Sequence, residues 1–125
     1  MMERVVITGM GAVTPIGNDV PTFWQSLKEG KCGIGPITHV DVTDYKVKLA
    51  AEVKDFDVTQ YIEKREAKRM DKNCHFAIAA AQQAVDQAGL IPGTFDPLRT
   101  GVIYGSGIGG LYITEVEVEK LLTKG

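Results

Sequence analysis

Two glycine-rich turns in this chain have the composition of a phosphate-binding loop. One lies in the run VVITGMGAVTPIG, which starts at Val5, and the other in VIYGSGIGGL, which starts at Val102. In each, a β-branched run leads into closely spaced glycines. A strand followed by a glycine turn and a helix is the arrangement that binds the phosphates of a dinucleotide. Dinucleotide binding is therefore the first chemistry to test against the residues.

The two turns differ when compared with the G-x-G-x-x-G fingerprint. In the first, Thr14 occupies the position of the third glycine, and Pro15 follows where a helix should already be running. In the second, Gly105, Gly107 and Gly110 have the right spacing, but a single match of this kind is weak. Glycines also allow close approach of two backbones or a positive φ at a crowded turn. We prefer that interpretation, with a dinucleotide-binding module as an alternative.

The cysteines and histidines do not form a recognisable catalytic group. Cys74 and His75 are adjacent, but neighbouring side chains on a helix point about 100° apart, so they do not face each other. Cys74 is predicted to be a small core residue. Cys32 and His39 have no partner that the sequence identifies, and no metal-ligand spacing is present. The sequence therefore predicts no catalytic residue and no metal site within this chain.

A run of basic residues indicates binding and not catalysis. It is IEKREAKRMDK, from Ile62 to Lys72. If it is helical, five cations share one side of the helix. These are Lys64, Arg65, Lys68, Arg69 and Lys72. Because the formal net charge of the chain is −2, such a cluster indicates a docking site for an anionic partner, which it attracts by long-range electrostatics. The alternative is an ordinary solvated helix face.

The elements expected to position these residues alternate between strands and helices. The predicted strands are 4–8, 46–53 and 100–104, the first and last of them buried. The predicted helices are 18–30, 61–70, 73–88 and 111–122, and 33–44 is predicted to be a loop. The last of these helices has a strand as its alternative, because 114–119 alternates between polar and apolar residues, but a helix directly after a glycine turn fits better. This alternation predicts an α/β fold with buried sheet strands.

Composition excludes several other classes of protein. A chain of 125 residues has room for one domain, and 44% hydrophobic with 24% charged residues is ordinary for a globular protein. The charge balance excludes a generally basic nucleic-acid binder and a disordered acidic tail. No apolar run approaches the roughly 20 residues of a membrane span, and the start lacks a signal-peptide order. A cytoplasmic protein is the expectation, with no membrane or nucleic-acid partner.

Four segments, taken in order, resemble a known family. They are VVITGMGAVTPIGN, WQSLKEGKCGI, KRMD and GSGIGG, and together they resemble the opening of the β-ketoacyl-acyl-carrier-protein synthases, with the type II enzymes of fatty-acid elongation as the closest match. The resemblance covers essentially all 125 residues. It implies a thiolase-like layered αβαβα fold and a homodimer. Residues 1–125 would be the truncated N-terminal part of the first thiolase-like half.

The resemblance also implies a function. The family condenses an acyl thioester with malonyl-acyl-carrier protein, without a cofactor, by means of a cysteine and two histidines. All three are expected beyond residue 125, so the fragment is predicted to be inactive alone. Ile108 falls where type II enzymes line the acyl-chain pocket near the dimer interface. Both glycine turns become tight backbone turns, not phosphate sites.

The basic run falls where the family meets its acidic carrier protein. The resemblance therefore implies that Lys64, Arg65, Lys68 and Arg69 bind acyl-carrier protein. A chain-length-factor-like subunit, which has the same fold without the cysteine, is an alternative to a catalytic synthase.

Overall fold

The computed structural model describes residues 3–125. Its helices are α1 (Val20–Lys28), α2 (Lys64–Ala67), α3 (Lys72–Ala88) and α4 (Leu111–Lys124), and its strands are β1 (Ile34–Pro36) and β2 (Leu49–Ala51). Single 3₁₀ turns lie at Val58–Gln60 and Pro97–Arg99. The mixture of helices and short strands is that of a partial α/β fold.

Helix α3 is the longest element, and both of its ends have clear local causes. The Asp71 carboxylate accepts a hydrogen bond from the N–H of Lys72 at 2.6 Å, which caps the first turn. Gly89 ends the helix in the left-handed conformation, with φ 64° and ψ 29°, where a Cβ would be strained. Alanine-rich sequence favours the helix between these ends. The predicted helix at 73–88 is confirmed, as is the helix at 111–122.

The first glycine turn packs directly against the backbone of α3. A Cβ on Gly9 would lie 2.9 Å from the N of Ala88, and one on Gly11 would lie 2.7 Å from the carbonyl carbon of Ala80. Gln87 accepts a hydrogen bond from the Met10 N–H at 2.6 Å and so holds the same segment. The preferred interpretation of these two glycines, close approach of two backbones, is confirmed.

The two short strands form an antiparallel pair. Ile34 lies opposite Ala51, and Pro36 lies opposite Leu49. The predicted strand at 46–53 is thus present over three of its residues, whereas the prediction of a loop throughout 33–44 is wrong at Ile34–Pro36. Glycine and proline in that segment favour a loop locally, and the hydrogen bonds to β2 override that preference.

The predictions of buried strands at 4–8 and 100–104 are wrong for the residues that the structure describes. Neither segment has strand hydrogen bonds, and Val5 and Ile7 are 93% and 83% exposed. Ile103 is fully exposed. A strand forms only where a neighbouring strand satisfies its N–H and C=O groups, and residues 3–125 pair just β1 with β2. The β-branched residues in these two segments favour an extended backbone, but within residues 3–125 the segments have no partner strand.

Candidate functional site

Four cations lie close together in sequence on the short helix α2 and the turn that follows it. We call Lys64, Arg65, Lys68 and Arg69 the cationic cluster. Lys64 and Arg65 belong to α2, and Lys68 and Arg69 to the turn. All four residues are exposed. The one ion pair among residues 3–125 joins Lys120 and Glu117. The four side chains of the cationic cluster therefore form no ion pair within these residues, and their positive charge can interact with solvent or a partner.

The continuous basic helix predicted over 61–70 and the stripe ending at Lys72 are wrong. Helix α2 spans four residues and ends at Ala67, and a turn separates it from α3. The cause is Asp71, whose backbone has an extended ψ of 163° and whose side chain caps α3. Lys72 therefore begins a different helix and does not stack on Lys64 and Lys68.

Helix α2 and the segment just before it are held against the protein by two buried residues and one hydrogen bond. Ile62 and Ala67 are 7% and 6% exposed. The Nε2 of His75, on α3, donates to the carbonyl oxygen of Ala67 at 2.8 Å, which satisfies a carbonyl at the helix C-terminus. The His75 ring is thus engaged with α2 and not with Cys74, in agreement with the prediction that these neighbours do not pair.

Asp71 connects this region to the second glycine turn. One carboxylate oxygen accepts from the Lys72 N–H at 2.6 Å, and the other accepts from the N–H of Ile113, in the first turn of α4, at 3.1 Å. Gly110 precedes α4 without a side-chain cap of its own, so Asp71 supplies the cap from a distance in sequence. The hydrogen bond from Ile113 is the main reason that the pKa of Asp71 lies below its ordinary value.

This arrangement opposes the dinucleotide alternative. The phosphates of a dinucleotide bind at the N-terminus of the helix that follows the glycine turn, and here the Asp71 carboxylate occupies that end of α4. Residues 100–104, which precede this glycine turn, do not form a strand. Nothing lies within 4 Å of a Cβ built on Gly105 or Gly107, so the crowding predicted for this turn is absent at these two glycines.

Ile108 lies in the same turn, two residues before Gly110. Its neighbour Gly109 has φ +81° and donates its N–H to the Ser106 hydroxyl at 3.0 Å. The Ile108 side chain is 77% exposed. Residues 3–125 therefore present this side chain without enclosing it, and its role in an acyl pocket stays a prediction.

The cysteines and His39 do not form a site with each other. Both cysteines are free and exposed, so the prediction of Cys74 as a core residue is wrong; an open groove of about 580 Å³, which Cys74 lines, runs beside α3. The backbone N–H of His39, not its ring, contacts Glu52 at 3.3 Å. Within the described ranges, no group of three His, Cys, Asp or Glu residues is placed to hold a metal ion.

The pH dependence of the α4 cap follows from Asp71. Because its pKa is lowered in the folded protein, the cap contributes its full stabilisation above the pKa of an unfolded aspartate and loses it as the pH falls through the folded-state pKa. We expect the NMR-detected titration of Asp71 to lie below the ordinary aspartate range and to coincide with faster amide exchange at Ile113. Titration at or above the ordinary value would contradict this. Asp71→Asn, which cannot titrate, is the control.

Comparison with known proteins defines the class of this chain. Residues 2–124 match the family model described as β-ketoacyl synthase, N-terminal domain, and the chain belongs to that family. It is 50% identical over 123 residues to 3-oxoacyl-[acyl-carrier-protein] synthase 2 of Synechocystis sp.. The proteins of the same name from Staphylococcus aureus and Vibrio harveyi are 47% and 45% identical. In all three comparisons the match covers 98% of this chain and 30% of the relative, and it confirms the family resemblance.

Solved structures of ketosynthases have the same fold. One is a type II polyketide synthase acyl-carrier protein in complex with its ketosynthase (AntDE:AntF), which matches 96% of this chain and 30% of its own at a TM-score of 0.75 and 28% identity. Another is the ishigamide ketosynthase/chain length factor, which matches 69% of this chain and 21% of its own at a TM-score of 0.64 and 36% identity. The predicted thiolase-like α/β class is confirmed. Separately, none of the described helices is long and apolar enough to cross a membrane.

Proposed function

We propose that residues 1–125 are the N-terminal part of the first thiolase-like half of a condensing acyltransferase. This enzyme joins an acyl thioester to malonyl-acyl-carrier protein in fatty-acid elongation. The observation that carries the proposal is the family match over residues 2–124, together with 50% identity to a 3-oxoacyl-[acyl-carrier-protein] synthase 2. Because the chain spans 30% of that relative, the complete enzyme needs residues outside it.

In the proposed reaction, the residues that carry out the bond-making steps lie outside this chain. A cysteine outside this chain takes the acyl group from the carrier thioester, and the carrier thiol leaves. Two histidines assist the loss of carbon dioxide from the malonyl group, and the resulting carbanion attacks the acyl-enzyme thioester. An oxyanion hole stabilises the tetrahedral state, which collapses with release of the cysteine thiolate. In residues 3–125 the His75 ring is hydrogen-bonded to the carbonyl oxygen of Ala67 and not to a cysteine. We therefore expect the isolated chain to be inactive in condensation.

The cationic cluster is the proposed docking site for acyl-carrier protein. Its four cations are exposed, with Glu66 the one carboxylate between them, and an acidic carrier would be attracted to such a surface. The similarity to a ketosynthase solved in complex with its acyl-carrier protein supports this assignment. Ile108 is proposed to line the acyl pocket where two copies of the synthase meet in a homodimer.

A graft tests the proposed function directly. In what we call the grafted synthase, the 123 aligned residues replace the matching segment of the Synechocystis relative. We expect the folded grafted synthase to condense acyl and malonyl carrier thioesters, and the isolated 125-residue chain to show no product above background. A folded graft without condensing activity, or product formed by the isolated chain, would overturn the proposal.

A second candidate is a non-catalytic subunit of chain-length-factor type. It is favoured by one observation, the match to the ishigamide ketosynthase/chain length factor at a TM-score of 0.64. The two candidates differ in the residue at the nucleophile position, which lies outside this chain. Reading the codon at that position distinguishes them: cysteine supports the synthase, and another residue supports the non-catalytic subunit.

A further inference from the structure

Asp71 joins the cationic cluster to the second glycine turn. This turn, residues 105–110, contains Ile108 and is called the Ile108 turn below. Asp71 follows Arg69 by two positions, at the end of the turn that carries the second half of the cluster. One of its oxygens caps α3 through the Lys72 N–H at 2.6 Å. The other caps α4 through the Ile113 N–H at 3.1 Å. A single carboxylate therefore fixes the N-termini of two helices to each other.

The fit around Asp71 leaves little freedom for the turn. A Cβ built on Gly110 would lie 2.8 Å from both the Cβ and the Oδ2 of Asp71, so the glycine allows the carboxylate to approach the end of the turn. Since Gly110 has no side-chain cap, the negative charge of Asp71 also complements the positive end of the α4 dipole. Ile108 is two residues from this contact and has a largely exposed side chain, so its position depends on how the turn is anchored.

We propose that Asp71 is a positioning residue, which holds the Ile108 turn relative to the cationic cluster and thereby sets the acyl-chain-length preference of the synthase. This inference rests on the proposed function, and on Ile108 lining the acyl pocket in particular. Asp71 does not touch the acyl chain itself. It acts through the N-terminus of α4, and its loss allows Ile108 to occupy a wider range of positions.

The test measures the ratio of kcat/KM for tetradecanoyl-carrier and octanoyl-carrier substrates in the grafted synthase. A change in carrier docking alters both values alike and cancels in the ratio, whereas a change at the pocket does not. Asp71→Asn keeps an acceptor for one N–H but loses the charge and the second acceptor. We expect it to change the ratio by about two- to fivefold, the size of a lost charge at a helix N-terminus. Asp71→Ala, which loses both hydrogen bonds, should change the ratio further.

Two further variants distinguish a failure of the Asp71 inference from a failure of the assignment of Ile108 to the acyl pocket. Asp86→Asn alters an exposed carboxylate near the other end of α3, which accepts from Gln82 at 2.7 Å, and it should leave the ratio unchanged. Ile108→Trp reports on the pocket itself and should lower activity toward the longer chain. If Ile108→Trp shifts the ratio and Asp71→Asn does not, at equal thermal stability, the inference fails while the proposed function stands. If neither shifts it, Ile108 lines no acyl pocket, and the inference fails with that assignment.

Discussion

Reversing the charge at Lys64 and Arg65 is expected to raise the KM of the grafted synthase for acyl-carrier substrates by about tenfold or more, since like charges brought together at an interface cost several kcal/mol. The turnover number should change little, because both side chains are exposed and neither belongs to the proposed catalytic group. Both side chains are exposed, and no ion pair among the described residues involves them. The substitutions therefore remove an attraction without breaking an internal contact.

A matched pair of substitutions distinguishes docking from net charge. Lys28→Glu with Lys31→Glu alters two exposed cations at the end of α1 and changes the net charge by the same amount. We expect the KM for carrier substrates to stay within twofold of the parent in this control, roughly the effect of distant surface charges under salt screening. The KM of the parent should also rise with ionic strength. If the α2 variant and the α1 control behave alike, the cationic cluster is not the docking site.

Gly11→Ala is expected to destabilise the protein by about 3 kcal/mol, at the upper end of what overpacking costs. The added Cβ would overlap the carbonyl oxygen of Ala80 and lie 2.7 Å and 2.9 Å from its carbonyl carbon and Cα. All three atoms belong to the backbone of α3, which cannot move aside as the end of a flexible side chain can. The glycine turn and the long helix must then separate.

Thermal unfolding of the grafted synthase, followed by circular dichroism, measures this loss. Gly35→Ala is the matched control, because a Cβ built on Gly35 meets nothing within 4 Å and β1 contains no positive φ. A melting temperature for Gly11→Ala no lower than that of Gly35→Ala would show that the close approach of the turn to α3 is not a constraint on the folded protein.

Much of the local structure was predictable because its causes are local. The end of α3 follows from Gly89, and the start of α1 follows from Asp19, which accepts from the Thr22 N–H at 2.7 Å. The family was predictable as well, since its motifs are contiguous in sequence. By contrast, charge periodicity alone predicted a single basic helix, because nothing in that periodicity shows that Asp71 ends one helix and caps the next.

By itself, the sequence determined which segments favour helix, where glycines follow β-branched runs, and where cations lie close together along the chain. Only the tertiary structure decided that Gly9 and Gly11 pack on α3, that Ile34–Pro36 pairs with Leu49–Ala51, and that Asp71 caps α4. The physical reason is the range of the interactions. Caps and helix propensities act within a few residues, whereas strand pairing and close packing join residues that are distant in sequence, so they exist only once the chain has folded.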